Sequence, residues 1–282
     1  MTFSLALACS FLFVPASRPE RIAKALVSGA HAVIVDLEDA VAPLDKPAAR
    51  QQLAQAFAVL APADRTRLLV RINALGTDWH ADDVAIAAQL AQQGLGGLML
   101  SKAESAEAAA AVVLALGPNC ALVPLIESVA GFDELNALAR VSQVVRLAFG
   151  NLDFQADSGL ACDAEEAELV PVRLALVLAA RRAGLAASID GVTPDIQDAV
   201  RLQNDVARAR RGGFGAKLCI HPAQVAGVNA AFLPTPVEVD WARRVLAGFE
   251  AAGGGVFSLD GRMVDAPVRL LAQRTLARSA EF

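Results

Sequence analysis

Eight short apolar runs alternate with Ala-rich amphipathic stretches, and this rhythm limits the chain to very few folds. The runs are Phe11–Val14, Ala32–Asp36, Leu68–Ile72, Gly97–Leu100, Ala121–Ile126, Val144–Phe149, Ala186–Ile189 and Gly215–Ile220. Apolar runs of this length between turn signals read as buried strands of a parallel sheet. The stretches between them read as helices. Pro19–Ser28 is expected to start at an N-cap on Ser17 and close at Gly29; Lys46–Leu60 carries Pro47 in its first turn. Asp78–Gln93, Ser105–Leu116, Ala164–Ala183 and Asp195–Arg211 each close on a glycine, at Gly94, Gly117, Gly184 and Gly212.

Eight such units predict an α/β fold, a (β/α)8 TIM barrel. An open doubly wound sheet is the alternative. It is disfavoured because the segment after the first run, Phe-Val-Pro-Ala-Ser-Arg-Pro, has no glycine-rich phosphate loop, and no Walker-type loop occurs elsewhere. After His221 the rhythm stops. Pro234 and Pro236 break the chain; a helix is predicted over Val237–Ala251, a hairpin over Val256–Val264 and a last helix over Pro267–Arg278. The expected division is a barrel over 1–225 and a C-terminal helical arm over 226–282 that contacts a neighbouring subunit.

Composition narrows the partners. The 282 residues have a net charge of −5 and no basic stripe, which argues against nucleic acid. Cys9, Cys120, Cys162 and Cys219 are scattered without a C-x-x-C pair, so neither a disulfide framework nor a zinc site is expected, and a reducing cytoplasm fits. No Lys or Arg precedes Arg18, so the apolar start reads as a first strand rather than a signal peptide. No later run has membrane-spanning length, and no membrane partner is expected.

Most of these strands end in charged or polar residues. Arg18 follows the first, Asp36, Glu38 and Asp39 the second, Arg71 and Asn73 the third, and Lys102 the fourth. Glu127, Asp153, Asp190 and His221 follow the remaining four. Strand ends of a barrel share one mouth, where the chemistry of this fold sits. Charges buried there unpaired would cost several kcal/mol each, on the order of isolated buried ions. Glu127 and Asp153 are the candidate metal ligands, because two carboxylates plus water and ligand oxygens suit Mg2+. The rival reading is a pair of helix N-caps. Arg71 is expected to hold a substrate carboxylate in a bidentate pair, or to bridge to Asp36 or Glu38. Asp36 and Glu38 are two residues apart and face the same side. His221 is either a general base or a hydrogen-bonded strut, and His31 and His80 read as structural or surface residues. Arg18, Arg21 and Lys24 straddle the first helix start, where a phosphate or simply solvent would be met.

The chain resembles the citrate lyase beta-subunit group of the HpcH/HpaI aldolase and citrate lyase family. The resemblance is carried by FLFVPASRPERIAKALVSGAHAVIVDLEDAVAPLDKPAAR, VRIN, GGLMLSKAES, PLIESVAG, AFGNLDFQAD, SIDGV and GFGAKLCIHPAQV, with GRMVDAP in the tail. It implies a TIM barrel assembled as a trimer or larger homo-oligomer, Mg2+ on Glu127 and Asp153, and an oxo-acid carboxylate on Arg71. It also implies a coenzyme A thioester near Arg18 and Lys24, and an Asp from a neighbouring subunit's arm, matched by Asp265. The expected activity is Mg2+-dependent carbon–carbon cleavage of a 3-hydroxy-3-carboxyacyl-CoA to an oxo acid and acetyl-CoA. Arg71, Asp265 and Glu38 are the expected catalytic residues, and Arg71, Arg18, Lys24 and Asp36 the substrate-binding ones. The rivals are a CoA-free aldolase, a thioesterase, and a subunit active only with an acyl carrier partner. Asn151 and Leu152 stand where the family pattern is often acidic, which leaves a third acidic ligand without a match.

Overall fold

The computed structural model describes residues 3–280. Eight parallel strands close into a barrel in chain order: β1 (Ser10–Pro15), β2 (Ala32–Asp36), β3 (Leu68–Ile72), β4 (Gly97–Leu100), β5 (Ala121–Ile126), β6 (Ala148–Phe149), β7 (Ile189–Asp190) and β8 (Ala216–Cys219), with β1 pairing β8. Helices in this part are α1 (Glu20–Leu26), α2 (Lys46–Ala58), α3 (Pro62–Arg65), α4 (His80–Gln92), α5 (Ala106–Leu116), α6 (Val129–Asp133), α7 (Leu135–Leu138), α8 (Asn151–Ser158), α9 (Val170–Arg182), α10 (Ala199–Arg211) and α11 (Pro222–Phe232). This is the TIM barrel that the alternation predicts. Among the described residues no helix is long and apolar enough to cross a membrane.

The chain forms two compact units, divided between Asn229 and Ala230. The second contains α12 (Pro236–Ala251), the antiparallel pair β9 (Phe257–Leu259) and β10 (Arg262–Val264), and α13 (Ala266–Ala280). Its own small core joins Ala242, Val245, Phe249, Val264 and Ala272. A capping box of Thr235 and Glu238 starts α12.

The barrel core holds Phe11, Ile34, Leu69, Met99, Val123, Leu125, Ile189 and Leu218. Side chains alternate along a strand. Two positions on from Ile34, Leu69, Met99 and Leu125 stand Asp36, Arg71, Ser101 and Glu127. All four are buried, so a polar layer lies directly above the apolar one. At the opposite end Arg146 donates to the carbonyls of Leu5, Ala8 and Ala187.

Several boundaries differ from the sequence reading, each for a local reason. Ser17 does not cap α1; the chain enters the helix through Pro19, already at φ −60° and ψ −26° with no side-chain cap. Of the expected strand Val144–Phe149 only the last two residues join the ladder; Val144 touches β5 through a single bridge to Leu122. The expected strands Ala186–Ile189 and Gly215–Ile220 shorten similarly, to Ile189–Asp190 and Ala216–Cys219. The helix predicted over Ala164–Ala183 begins at Val170, because Glu166 adopts a left-handed φ of 50°. That predicted from Asp195 begins at Ala199. Asp195 instead folds into its own turn, accepting from Gln197 and Asp198 N–H, and Asp198 caps the helix.

Candidate active site

The register of β2 and β3 places Asp36 directly beside Arg71. Their side chains form a bidentate pair: Nε to Oδ1 and Nη2 to Oδ2, both 2.7 Å. Glu38, past the end of β2, still reaches the same guanidinium, with Nη1 to Oε2 at 2.8 Å. The expectation that Asp36 and Glu38 face one side therefore holds. Asp36 also accepts from the N–H groups of Glu38 and Ala40, so its carboxylate is fully engaged. A guanidinium has five N–H groups. Three are used here, and the group lies over the Phe13 ring at 4.9 Å. Burial opposes the charge on Arg71, but the bonds and charges of Asp36, then Glu38 and Glu127, outweigh it and raise its pKa. For Glu38 burial dominates and raises the carboxyl above its ordinary range, against Arg71 and a 2.7 Å bond from Ser101 Oγ.

The Asp36–Glu38 turn is held from behind by a residue the sequence reading gave no role. Lys46 Nζ donates to the carbonyls of Leu37 and Glu38 and to Asn73 Oδ1, at 2.7–2.8 Å. Asn73 in turn bonds Asp83 through both its backbone and its side-chain amide. A lysine at the first position of a helix gives no sequence signal of this kind, since an exposed lysine looks identical.

Glu127 follows β5 directly and is only 2 % exposed. It is not a helix N-cap: Ser128 caps α6, accepting from Gly131 N–H, while Glu127 Oε1 accepts from the backbone N–H of Lys102. Lys102 reaches that bond with a left-handed φ of 42°, a cost that recurs at functional sites. Its side chain is exposed. Asp153 lies half-buried in the first turn of α8, whose N-cap is Gly150. Glu127, Asp153, Arg71, Gly150, Asn151 and Phe149 are among the walls of one small cavity of about 60 Å³. A Cβ on Gly150 would come within 2.5 Å of Glu127 Cβ and 2.6 Å of its Oε2, so glycine is what leaves room for the carboxylate.

This geometry fits a hard divalent cation. Burial first, and then Glu38 and Asp153 among its neighbours, push the Glu127 carboxyl up to about 8, with the Lys102 N–H and Arg71 opposing. The buried Glu127 and the half-buried Asp153 repel each other, and a bound cation would relieve that. Among the described residues no cluster of three or more His, Cys, Asp and Glu side chains forms a metal cage. Mg2+ usually keeps water and substrate oxygens beside one or two carboxylates, which matches this sparse donor set.

The other sequence candidates fall elsewhere. Arg18, Arg21 and Lys24 are exposed on and before α1, and Arg18 pairs with Glu20 at 3.4 Å. His221 is exposed, and its Nδ1 accepts from Ala223 N–H, which makes it the strut at the start of α11. His31 Nδ1 accepts from Cys9 N–H, and His80 Nδ1 contacts the Asn73 carbonyl. Asp190 pairs with Arg173 rather than opening to the mouth. Asp265 belongs to the second unit, where its Oδ1 accepts from Val268 N–H at the start of α13. All four cysteines are free thiols; burial pushes Cys120 and Cys219 up to about 12, so both are inert at neutral pH.

Comparison with known proteins follows the same lines. The family model for HpcH/HpaI aldolase/citrate lyase matches residues 9–222. The chain belongs to the HpcH/HpaI aldolase/citrate lyase family. Within it, the chain is 38% identical over 276 residues to a citrate lyase subunit beta-like protein of Mycobacterium tuberculosis, covering 96% of this chain and 95% of the relative. It is 32% identical over 280 residues to a (3S)-malyl-CoA thioesterase of Cereibacter sphaeroides, covering 96% and 94%. A crystal structure of CitE from Mycobacterium tuberculosis in complex with magnesium, acetoacetate and coenzyme A superposes with a TM-score of 0.83 at 38% identity, covering 98% of this chain and all of that one. Members of the HpcH/HpaI aldolase/citrate lyase family thus share this fold over essentially the whole chain.

Proposed function

We propose that the protein is a Mg2+-dependent carbon–carbon lyase acting on a 3-hydroxy-3-carboxyacyl-CoA, such as citryl-CoA, to give an oxo acid and acetyl-CoA. The observation that carries this reading is Arg71, fixed by Asp36 and Glu38, on the wall of the cavity that holds Glu127 and Asp153. The related CitE bound to magnesium, acetoacetate and coenzyme A supports the same ligand classes here. Glu127 and Asp153 hold the cation. Bound Mg2+ supplies Lewis acidity to the substrate hydroxyl and carboxylate oxygens.

The protein's own residues do the rest. Arg71 binds the substrate carboxylate with its remaining N–H groups, and Asp36 acts through it by locking its orientation. Glu38, its carboxyl raised above the ordinary range by burial, takes the hydroxyl proton. The carbon–carbon bond then breaks, the carbonyl of the oxo acid forms, and the electron pair leaves on the acetyl thioester as its enolate. Asp265 from a neighbouring subunit's arm returns a proton to that carbon. Arg18 and Lys24 meet the CoA phosphates. The enzyme is a homo-oligomer, a trimer or hexamer, because Asp265 acts in trans.

A second reading has a specific observation behind it. Similarity to a malyl-CoA thioesterase favours hydrolysis of the thioester in the same site. One experiment separates the two: mass spectrometry of products from citryl-, malyl- and citramalyl-CoA, with Mg2+ and with EDTA. Mg2+-dependent acetyl-CoA and an oxo acid are expected. Free CoA with the intact hydroxy acid would establish the thioesterase instead. The same assay on Asp265→Ala should show turnover reduced about tenfold or more with Mg2+ affinity retained; full turnover would remove Asp265 from the mechanism.

A further inference from the structure

Asn151 opens α8 two residues before Asp153 and is 1 % exposed. Every polar atom of its side chain is bonded. Nδ2 donates to Glu166 Oε1 at 2.9 Å and to the Val192 carbonyl at 3.3 Å, and Oδ1 accepts from Val192 N–H at 2.9 Å. The amide therefore pins the turn after β6 to the turn after β7. The fit leaves no slack, since a Cβ on Gly191 would lie 2.1 Å from Asn151 Oδ1.

Glu166 is the other half of the clamp. Residues 159–165 before it are exposed or half-buried, while Glu166 turns inward, 5 % exposed, with a left-handed φ of 50°. Its Oε2 accepts from both Arg173 and Arg208, leaving Oε1 for Asn151. Arg173 also pairs with Asp190 on β7 at 2.9 Å and lies over the Phe149 ring of β6 at 5.3 Å. A non-glycine residue at positive φ and a buried carboxylate are both unfavourable alone. Here they converge on one amide, at the N-terminus of the helix that carries Asp153.

We propose that Asn151 is a positioning residue for the cation site, and that Glu166, oriented by Arg173, holds it in place. The proposal rests on the reading of Asp153 as a metal ligand. Groups that orient metal ligands typically change metal affinity by about 10–100-fold when altered.

The test uses Asn151→Asp and the double variant Asn151→Asp/Glu166→Gln in the full-length protein, with Mg2+ binding by calorimetry and the thermal midpoint in EDTA. The single substitution sets two carboxylates against each other and should weaken Mg2+ binding about tenfold or more. In the double variant the glutamine amide donates to the new carboxylate, reversing the bond at unchanged net charge, and Mg2+ affinity should return to the parent value. A purely structural residue would shift the EDTA midpoint and leave the Mg2+ affinity of the folded protein unchanged; that result overturns the proposal. If the single variant does not fold, Glu166→Gln alone breaks the clamp from its other side, because an amide cannot accept from Asn151, Arg173 and Arg208 as the carboxylate does: Mg2+ affinity weaker by about tenfold or more supports the clamp, and parental affinity overturns it. A parent protein that binds no Mg2+ overturns the metal reading together with the clamp, which distinguishes the two failures.

Discussion

At the scale of single residues, Glu127 dominates the site's pH behaviour. Burial lifts its carboxyl from an ordinary 4.5 to about 8. The folded protein therefore holds a proton that the unfolded chain has lost. The stabilisation from this group is fully present below about pH 4.5 and is lost as pH rises through about 8. A cation held by Glu127 would compete for the same oxygens, so Mg2+ affinity should rise across that window and binding should release a proton. Thermal melts with EDTA and with Mg2+ at about pH 6 and about pH 9 check this. The rise in midpoint caused by Mg2+ should be larger at the higher pH; a rise independent of pH would exclude Glu127 as a proton-competing ligand. Much of this residue chemistry was legible in sequence. Asp36, Arg71 and Glu127 stand at or beside the ends of apolar runs, and β periodicity puts them in one layer, with Glu38 on the same face just beyond it. Lys46 and Arg173 were not legible, because a buried charged residue on a helix has the same sequence signature as an exposed one; nor was Glu166, which stands in a turn among exposed acidic residues.

At the scale of elements, the strand-to-helix turns do the placing. Gly150 joins β6 to α8 and lies against Glu127 from the neighbouring strand. Gly150→Ala would press a methyl into Glu127 Cβ and Oε2. A loss of about 1–3 kcal/mol in stability is expected from the overpacking, with Mg2+ affinity and turnover reduced about tenfold or more. Gly227→Ala is the control, since its methyl would meet only Leu202 at 3.6 Å; it should leave Mg2+ affinity unchanged. Urea denaturation and calorimetry on the pair check both parts, and a Gly150→Ala protein with parental Mg2+ affinity would remove this turn from the site. The short elements were the hardest to read from sequence. α6 and α7 have too few residues to show a helical period, while α8 had a usable signal in Gly159, which closes it in the left-handed region. Pro171, in the first turn of α9, was a similar unused marker for where that helix begins.

At the scale of the molecule, the two ends of the barrel differ in kind. The C-terminal end gathers Asp36, Glu38, Arg71, Glu127 and Asp153. The N-terminal end is closed by Arg146 on backbone carbonyls and has a broad depression of about 580 Å³ lined mainly by uncharged residues such as Leu5, Leu95 and Val145. The alternation of eight runs with helices was enough to read this architecture, because a parallel sheet of consecutive βα units has few ways to close. The identity of the oxo acid was not legible, because it depends on loop shape around Arg71 rather than on residue type. The central claim is that Glu127, Asp153 and Arg71 form one site for a cation and an oxo-acid carboxylate. Its most direct test is a crystal of the protein soaked with Mn2+ and oxaloacetate, read by anomalous difference density. The expected result is one Mn2+ peak bridging the Glu127 and Asp153 carboxylates, with an oxaloacetate carboxylate on Arg71. A Mn2+ peak away from both carboxylates, or an oxo acid bound without Arg71, would contradict it.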